Sequence, residues 1–189
     1  MDSSWRKKYK DLARRSIDKP SRWGPNIDIK GYLPKTVSDV QIEKFSGLLE
    51  KVGIDVEGKG RSGSFYQVES TVIDVLIRQP GLEIMSLEEA IDKYGGELEE
   101  YYWKAVRVDT DKFTAIAELK GSGGYFIRVK KGHKIEFPIQ ACLLMQMKGS
   151  LQAPHNIIIA EENSEVNIVT GCTAMRETVG LHAGVTEIY

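Results

Sequence analysis

A pattern of short apolar segments recurs along the second half of this chain with an offset of about 30 residues. The segment 126–129 returns at 156–159 and again from 184, and the segment 135–139 returns at 166–169. A fixed period built from short strands is typical of a solenoid, in which each repeat buries its apolar side on the next. Consecutive hairpins are the alternative, but they favour Asn-Gly or Asp-Gly turns, and none joins these segments. The repeat therefore predicts a parallel β-solenoid.

The first 120 residues carry helix signals instead of this repeat. Ser38 and Gln41 have the spacing of a capping box, and so do Ser86 and Glu89. Asp111 is expected to cap a further helix, because its short carboxylate can accept from the first free N–H groups. Together these signals predict an α+β region ahead of the solenoid.

A glycine-rich stretch, Gly121–Gly124, separates the two patterns. Such stretches between periodic segments are typical of loops and linkers. We therefore expect two domains: a mixed helical and strand region at 1–120, and the start of a solenoid at 121–189.

Residues 1–22 are basic, whereas the rest of the chain is acidic. They hold eight Lys or Arg and three Asp, a net charge of +5, while the whole chain has −1, which leaves −6 for the remainder. Trp5 and Tyr9 recur on one side of a helix predicted over 3–17, which favours docking on the body of the protein. An arm for nucleic acid or for an acidic partner is the alternative. The overall charge argues against a general polyanion binder, so a nucleic-acid partner is not expected.

The low cysteine content and the short apolar runs indicate where in the cell the protein is expected. Two cysteines in 189 residues are too few for a disulfide framework. The charged N-terminus is unlike a signal peptide, and no run reaches the roughly 18 apolar residues of a membrane span. We therefore expect a soluble cytoplasmic protein without a membrane anchor.

Cysteine and histidine are the residue types that could carry chemistry here. Cys142 and Cys172 are one repeat apart, and neighbouring strands lie about 4.8 Å from each other, so two thiolates could share a soft metal. Cys142 lies within an apolar run, which favours simple packing. Cys172 follows Gly171 near a strand end and is the better candidate. His133, His155 and His182 form no spaced metal motif; of the three, His155 lies near Cys172 by strand order.

Several ordered motifs resemble one known family. Residues 122–132 are similar to the "SGG-F-I-VPKG" turn of the SufB/SufD family of iron–sulfur cluster assembly proteins. Gly171–Ala174 resembles the "GC(T/S)AP" segment of that family, and Leu181–Ala183 resembles its "LHA". The resemblance covers about residues 80–189, over half of the chain.

This resemblance implies a right-handed parallel β-helix and a scaffold that performs no turnover itself. It implies a SufC-type ATPase, a second SufB/SufD-type subunit and a sulfur donor as partners, and a transient iron–sulfur cluster as cargo. Cys172 matches the family cysteine associated with sulfur handling or cluster assembly, and is the candidate iron ligand. Cys142, His155 and His182 are weaker candidates.

Two departures from the family pattern bear on this expectation. Met175 stands where the family usually has proline, and Thr170 replaces the acidic residue often found before Gly-Cys. We expect the chain to be an N-terminal portion whose β-helix is truncated at Tyr189, without the later family residues. The rival hypothesis is a non-catalytic solenoid interaction module that has lost cluster chemistry, with Cys172 merely packed.

Overall fold

The structure is a computed structural model that describes residues 4–189. Its α-helices are α1 (Lys7–Ser16), α2 (Ser46–Leu49), α3 (Leu87–Tyr94) and α4 (Lys112–Leu119). Its strands are β1 (Gly63–Val68), β2 (Thr71–Ile77), β3 (Leu82–Ser86), β4 (Tyr125–Val129), β5 (Ile139–Met145), β6 (Leu151–Gln152), β7 (His155–Ala160), β8 (Ile168–Ala174), β9 (Leu181–His182) and β10 (Val185–Ile188). None of the helices in this part of the chain is long and apolar enough to cross a membrane.

Two mixed four-stranded sheets and one small sheet hold these strands. The first sheet has the order β2-β1-β5-β8 and the second has the order β10-β7-β4-β3. In each, one pair is antiparallel (β1 with β2, β3 with β4) and the other neighbours are parallel. The third sheet is the parallel pair β6-β9.

Alternating side chains divide the core into layers, because successive residues of a strand face opposite sides of the sheet. Phe65, Leu143 and Tyr125 belong to the apolar cluster between the two four-stranded sheets. The outer face of the first sheet packs on the segment around α2, and the outer face of the second packs on α1, α3 and α4. β5 is buried along its whole length, as expected of a central strand between parallel neighbours.

Some of the predicted helix caps are confirmed and one is absent. Ser86 and Glu89 form the predicted capping box of α3, and Asp111 caps α4 by accepting from the N–H groups of Phe113 and Thr114. The capping box predicted at Ser38 is absent: the helical segment begins at Ile42 as a 3-10 turn without a side-chain cap. α1 confirms the predicted basic helix, and its docking side is buried against α4 through residues such as Tyr9 and Ala13.

The predicted fold class, an α+β region followed by a right-handed parallel β-helix, is wrong. Parallel neighbours do occur near the predicted offset: Ile139 lies opposite Ile168, 29 residues on, and Phe126 lies opposite Ile157, 31 residues on. Antiparallel strands join the same sheets, however, so residues 4–189 form three separate mixed or parallel sheets and no solenoid sheet. The class of the described chain is α+β throughout. The domain division at residues 120 and 121 stays a prediction.

Candidate functional site at the edge strand β8

Cys172 lies on β8, the last strand of the first sheet. It is opposite Leu143 of β5, and it shares its face of the strand with Thr170, which is two residues earlier. Leu143 belongs to the cluster between the two sheets, so this face of β8 is turned toward the space between them. The backbone thus places Cys172 at the inner side of an open sheet edge.

Gly171 lets β8 approach the segment after α2. A Cβ at this position would lie 2.8 Å from Cγ1 of Ile54 and 3.0 Å from Cγ2 of Val52, closer than side chains normally approach. The apolar pair therefore packs directly on the backbone of β8 from the outer face. This contact fixes the face of the strand that carries Cys172.

The thiol of Cys172 is exposed at the sheet edge but is not activated by its surroundings. Enough protein lies around the sulfur atom for burial to raise the pKa of this thiol above its ordinary value. The buried phenol of Tyr125 is near enough to interact with it electrostatically, and the pKa of Tyr125 is raised to about 12, first by burial and also by Cys172. At neutral pH the protonated thiol therefore dominates, and a metal or a base must remove its proton before it can react.

An open cavity of about 670 Å³ lies between the edges of the two sheets and reaches Thr170, two residues before Cys172. Thr170 lines it from β8, Thr186 and Ile188 line it from β10, and Tyr125 forms part of its wall. Cys172 follows Thr170 on the same face, and Tyr125 is in electrostatic range of its sulfur. The wall of the cavity thus carries the hydroxyl groups of Thr170, Thr186 and Tyr125, and it ends near the thiol on the same face of β8.

Cys142 has the opposite environment. It is fully buried in the apolar cluster on the outer face of the first sheet, together with Tyr66 and Leu144. Burial raises its pKa to about 12, with a further contribution from Cys172. Its partner in register is Gly171, so the two cysteines lie on neighbouring strands but on opposite faces. The structure therefore does not bring the two thiols to one metal position.

The two weaker histidine candidates are each engaged in hydrogen bonds. His182 of β9 lies with Nδ1 2.9 Å from Oε1 of Gln152, and burial lowers its pKa, which favours the neutral imidazole. His155 of β7 is buried, and its Nε2 lies 2.6 Å from Oε2 of Glu187. Among residues 4–189, no three His, Cys, Asp or Glu residues come together as a metal site.

His155 belongs to a buried polar group, here called the Trp103 cluster. Its members are Arg6, Tyr102, Trp103, Glu118, His155, Glu187 and Tyr189. Glu118 accepts from the side chains of Arg6, Tyr102 and Trp103, and its side chain is wholly buried.

The second carboxylate of the cluster, Glu187, joins three parts of the chain. Besides the ring nitrogen of His155, it accepts from the backbone N–H groups of Trp103, Ala105 and Val106 and from the Tyr189 hydroxyl. The indole of Trp103 stacks on His155 with 4.1 Å between ring centroids. Nothing in the sequence pattern pointed to Glu118, because its partners lie up to 112 residues away along the chain.

Comparison with known proteins gave no match to a family model. Individual relatives do match, and each is named an iron–sulfur cluster assembly SufBD family protein. The chain is 39% identical to the one from Methanothermobacter thermautotrophicus (strain Winter) over 190 residues, which is 94% of this chain and 46% of the relative. It is 40% identical to that of Archaeoglobus fulgidus over 141 residues, 75% of this chain and 38% of the relative.

A third relative, from Pyrococcus horikoshii, is 36% identical over 169 residues, 86% of this chain and 38% of the relative. The chain therefore spans less than half the length of these relatives. Matches of this identity cover most of the present sequence, including the segment with Cys172 in the longest alignments. The chain belongs to the iron–sulfur cluster assembly SufBD family.

Proposed function

We propose that this chain is part of a scaffold for iron–sulfur cluster assembly, with Cys172 as its sulfur-handling or iron-binding group. The observation that carries the proposal is the position of this thiol: it is exposed at a sheet edge, two residues from Thr170 in the wall of a cavity of about 670 Å³. Cys142, His155 and His182 are buried or held by hydrogen bonds, so they are less suited to the role. The names of the relatives support a role in iron–sulfur cluster assembly.

The chemistry follows from the properties of a thiolate, which is a soft ligand for iron and a nucleophile toward sulfane sulfur. In sulfur transfer, the Cys172 thiolate attacks the outer sulfur of a donor persulfide. The new S–S bond forms on Cys172, the donor S–S bond breaks, and the donor leaves as its thiolate. In iron binding, the thiol releases its proton as the metal binds.

The proposed working unit contains more than this chain. A SufC-type ATPase, a second SufB/SufD-type subunit and a sulfur donor are the partners we propose, in the cytoplasm, with the cluster as transient cargo. Cys172 supplies one ligand in this proposal. Because residues 4–189 contain no group of three His, Cys, Asp or Glu residues that could hold a metal ion, we propose that further ligands come from other parts of the assembly. In this scheme the chain is not itself an enzyme.

Anaerobic reconstitution of the full-length protein with ferrous iron and sulfide tests the role of Cys172. Cys172→Ser is expected to lose most of the visible cluster absorbance and the transfer of the cluster to an apo-acceptor. Cys142→Ser is the matched control, because it removes a thiol that faces the other side of the sheet. Equal absorbance and transfer in wild type and Cys172→Ser would show that the assigned role is wrong.

One observation favours the second candidate, a non-catalytic interaction module. The pKa of Cys172 is raised, so nothing in its surroundings prepares a thiolate. Incubation with a donor that carries a radiolabelled persulfide separates the two functions. A scaffold with working chemistry acquires label on Cys172, whereas an interaction module binds its partner subunits without acquiring label.

A further inference from the structure

A basic surface follows α1 on the side of the molecule that carries the helices. α1 buries one side against α4 and turns its opposite side to solvent. Six cations of this segment are exposed. Lys8 is in an ion pair with Glu99, and the other five, here called the basic edge, are Lys7, Arg14, Arg15, Lys19 and Arg22. The surface lies on elements other than β8 and does not depend on the role of Cys172.

An exposed tryptophan lies at the end of the basic edge. Trp23 is 75% exposed, the highest exposure among the large apolar residues of the described chain, and the guanidinium carbon of Arg22 lies 5.2 Å from its ring centre. Trp and Arg are the residue types most often found at the centres of protein interfaces. A large aromatic ring held in water beside a cation is therefore a candidate anchor for a partner.

Trp23 also forms the rim of a second cavity, of about 420 Å³. Its wall is mostly apolar, with Ile27 from the same segment, Phe113 from α4 and Val185 from β10, and with His182 as a polar group. A cavity of this size accommodates one or two apolar side chains.

The segment that carries Arg22 and Trp23 is fixed to the body of the protein. The ammonium group of Lys19 donates to the carbonyl of Asp109 at 2.6 Å, and the backbone N–H of Arg22 donates to Asp111 at 3.1 Å. Both acceptors lie directly before α4. Because the anchor is held in place before any partner arrives, binding requires little further ordering.

We propose that this surface docks an acidic segment of a protein partner. The carboxylates of the segment lie along the basic edge, and one apolar side chain enters the cavity beside Trp23. Charge complementarity favours this occupant: the five cations of the basic edge outnumber the two acidic residues of the same segment, Asp11 and Asp18, so an acidic segment is attracted to this surface.

A nucleic acid fits the same surface less well. α1 has 10 residues, so it extends for roughly 15 Å and passes only a few phosphates. The aromatic content of the surface is one exposed ring above an apolar cavity, rather than a row of stacking platforms. Asp11, in an ion pair with Arg14, also interrupts the basic edge.

Tryptophan fluorescence reports on the proposed site. Of the three tryptophans in this chain, Trp103 is buried, Trp5 is half-buried and Trp23 is exposed, so the iodide-quenchable fluorescence that is lost in Trp23→Phe is the signal of Trp23. The probe is a fluorescein-labelled, glutamate-rich peptide with one central leucine, titrated into the full-length protein. We expect saturable binding that protects Trp23 from iodide and weakens about tenfold when salt is raised from about 50 to about 200 mM.

Charge reversal separates the basic edge from general electrostatics. Arg15→Glu combined with Arg22→Glu, which leaves the Lys19 tether in place, is expected to weaken binding of the labelled peptide, followed by anisotropy, at least about tenfold. Lys59→Glu combined with Lys134→Glu changes the net charge equally at two exposed positions elsewhere and is expected to leave binding unchanged. Trp23→Ala, measured by the same anisotropy, is expected to weaken binding without altering its salt dependence.

Four outcomes overturn the proposal. They are no saturable peptide binding, equal weakening by the two double variants, tighter binding of a single-stranded RNA oligonucleotide than of the peptide, and protection of Trp23 from iodide before any peptide is added. The last outcome would mean that the protein's own chain already covers the cavity.

Discussion

The Trp103 cluster and the edge strand β8 place reactive groups in opposite surroundings. In the cluster, Glu118 and Glu187 are wholly buried, and each is surrounded by hydrogen-bond donors from distant parts of the chain. At β8, Cys172 is exposed, two residues from Thr170 in the wall of an open cavity. The titratable groups of the cluster are closed to solvent, whereas the thiol at β8 is exposed but is not activated by its surroundings.

This difference distinguishes the part of the molecule that stabilises the fold from the part that is open to a reactant. A buried carboxylate is tolerated only when its oxygens are satisfied, so the donors around Glu187 are part of the fold. Trp103 has a φ of +55°, a left-handed conformation that is rare for a bulky residue. Its N–H and its indole N–H donate to the two carboxylates, which holds this strained backbone in place. The Trp103 cluster is thus a structural clamp, whereas the cavity beside β8 is open to a reactant.

Loss of Glu187 should be the most damaging change. Glu187→Ala leaves His155 and the backbone N–H groups of Trp103 and Val106 without their acceptor inside the protein, whereas the N–H of Ala105 keeps the Tyr189 hydroxyl. We expect a loss of about 3–5 kcal/mol in the free energy of unfolding, measured by chemical denaturation. Glu165→Ala, at an exposed position, is the control and should cost less than about 0.5 kcal/mol. A loss below about 1 kcal/mol in Glu187→Ala would contradict the clamp.

Enlarging Gly171 should have the next largest effect, because it acts on the packing that orients β8. Gly171→Val pushes branched methyl groups toward Ile54 and Val52, and we expect a loss of about 1–3 kcal/mol in the free energy of unfolding. Gly96→Ala is the matched control, since nothing lies within 4 Å of its added Cβ. If both variants unfold at the same denaturant concentration, the close contact at Gly171 is not needed.

The sequence predicts features whose partners lie close together in the chain. The capping box of α3 joins Ser86 and Glu89. The cap of α4 joins the side chain of Asp111 to the backbone N–H groups of Phe113 and Thr114. Side chains three residues apart meet whenever a helix starts, so a local pattern is sufficient. The 30-residue repeat likewise predicted parallel neighbours, which the structure contains as the pairs of β5 with β8 and β4 with β7.

Contacts across long separations explain what the sequence did not predict. The antiparallel neighbours β2 and β3 do not follow the repeat, so the pattern of the second half suggested a solenoid where the sheets are mixed. The bond between Arg6 and Glu118 spans 112 residues, and no local pattern encodes it. Cys172 and its motif were identified from the sequence, but the cavity depends on Tyr125 and β10, and the raised pKa of the thiol depends on burial that only the fold provides.

Acid should weaken the Trp103 cluster before it affects β8. Burial alone would raise the pKa of Glu187, but the hydrogen bond and attraction of His155, the N–H of Val106 and the Tyr189 hydroxyl lower it below its ordinary value. A carboxyl with a depressed pKa in the folded state adds stability above its unfolded pKa of about 4.3 and loses it as the pH falls through the folded pKa.

Chemical denaturation from pH 7 down to about pH 3 measures this contribution. We expect the free energy of unfolding of the wild type to fall more steeply with acid than that of Glu187→Gln, which has no carboxyl at this position to protonate. Glu165→Gln serves as the exposed control and should follow the wild type. Parallel pH curves for wild type and Glu187→Gln would contradict the depressed pKa of Glu187.

Thiol labelling should have the smallest effect on the free energy of unfolding. It should also distinguish the exposed cysteine from the buried one. Of the two cysteines in this chain, a disulfide exchange reagent is expected to modify only Cys172 in the native state and both in the denatured state, because Cys172 is exposed and Cys142 is buried with a pKa of about 12. The native reaction should disappear in Cys172→Ser and persist in Cys142→Ser. Since burial raises the pKa of Cys172, its rate at pH 7 should be below that of a small-molecule thiol and rise steadily with pH. A fast, pH-independent reaction would instead indicate a stable thiolate. The thiol at β8 would then be both exposed and activated.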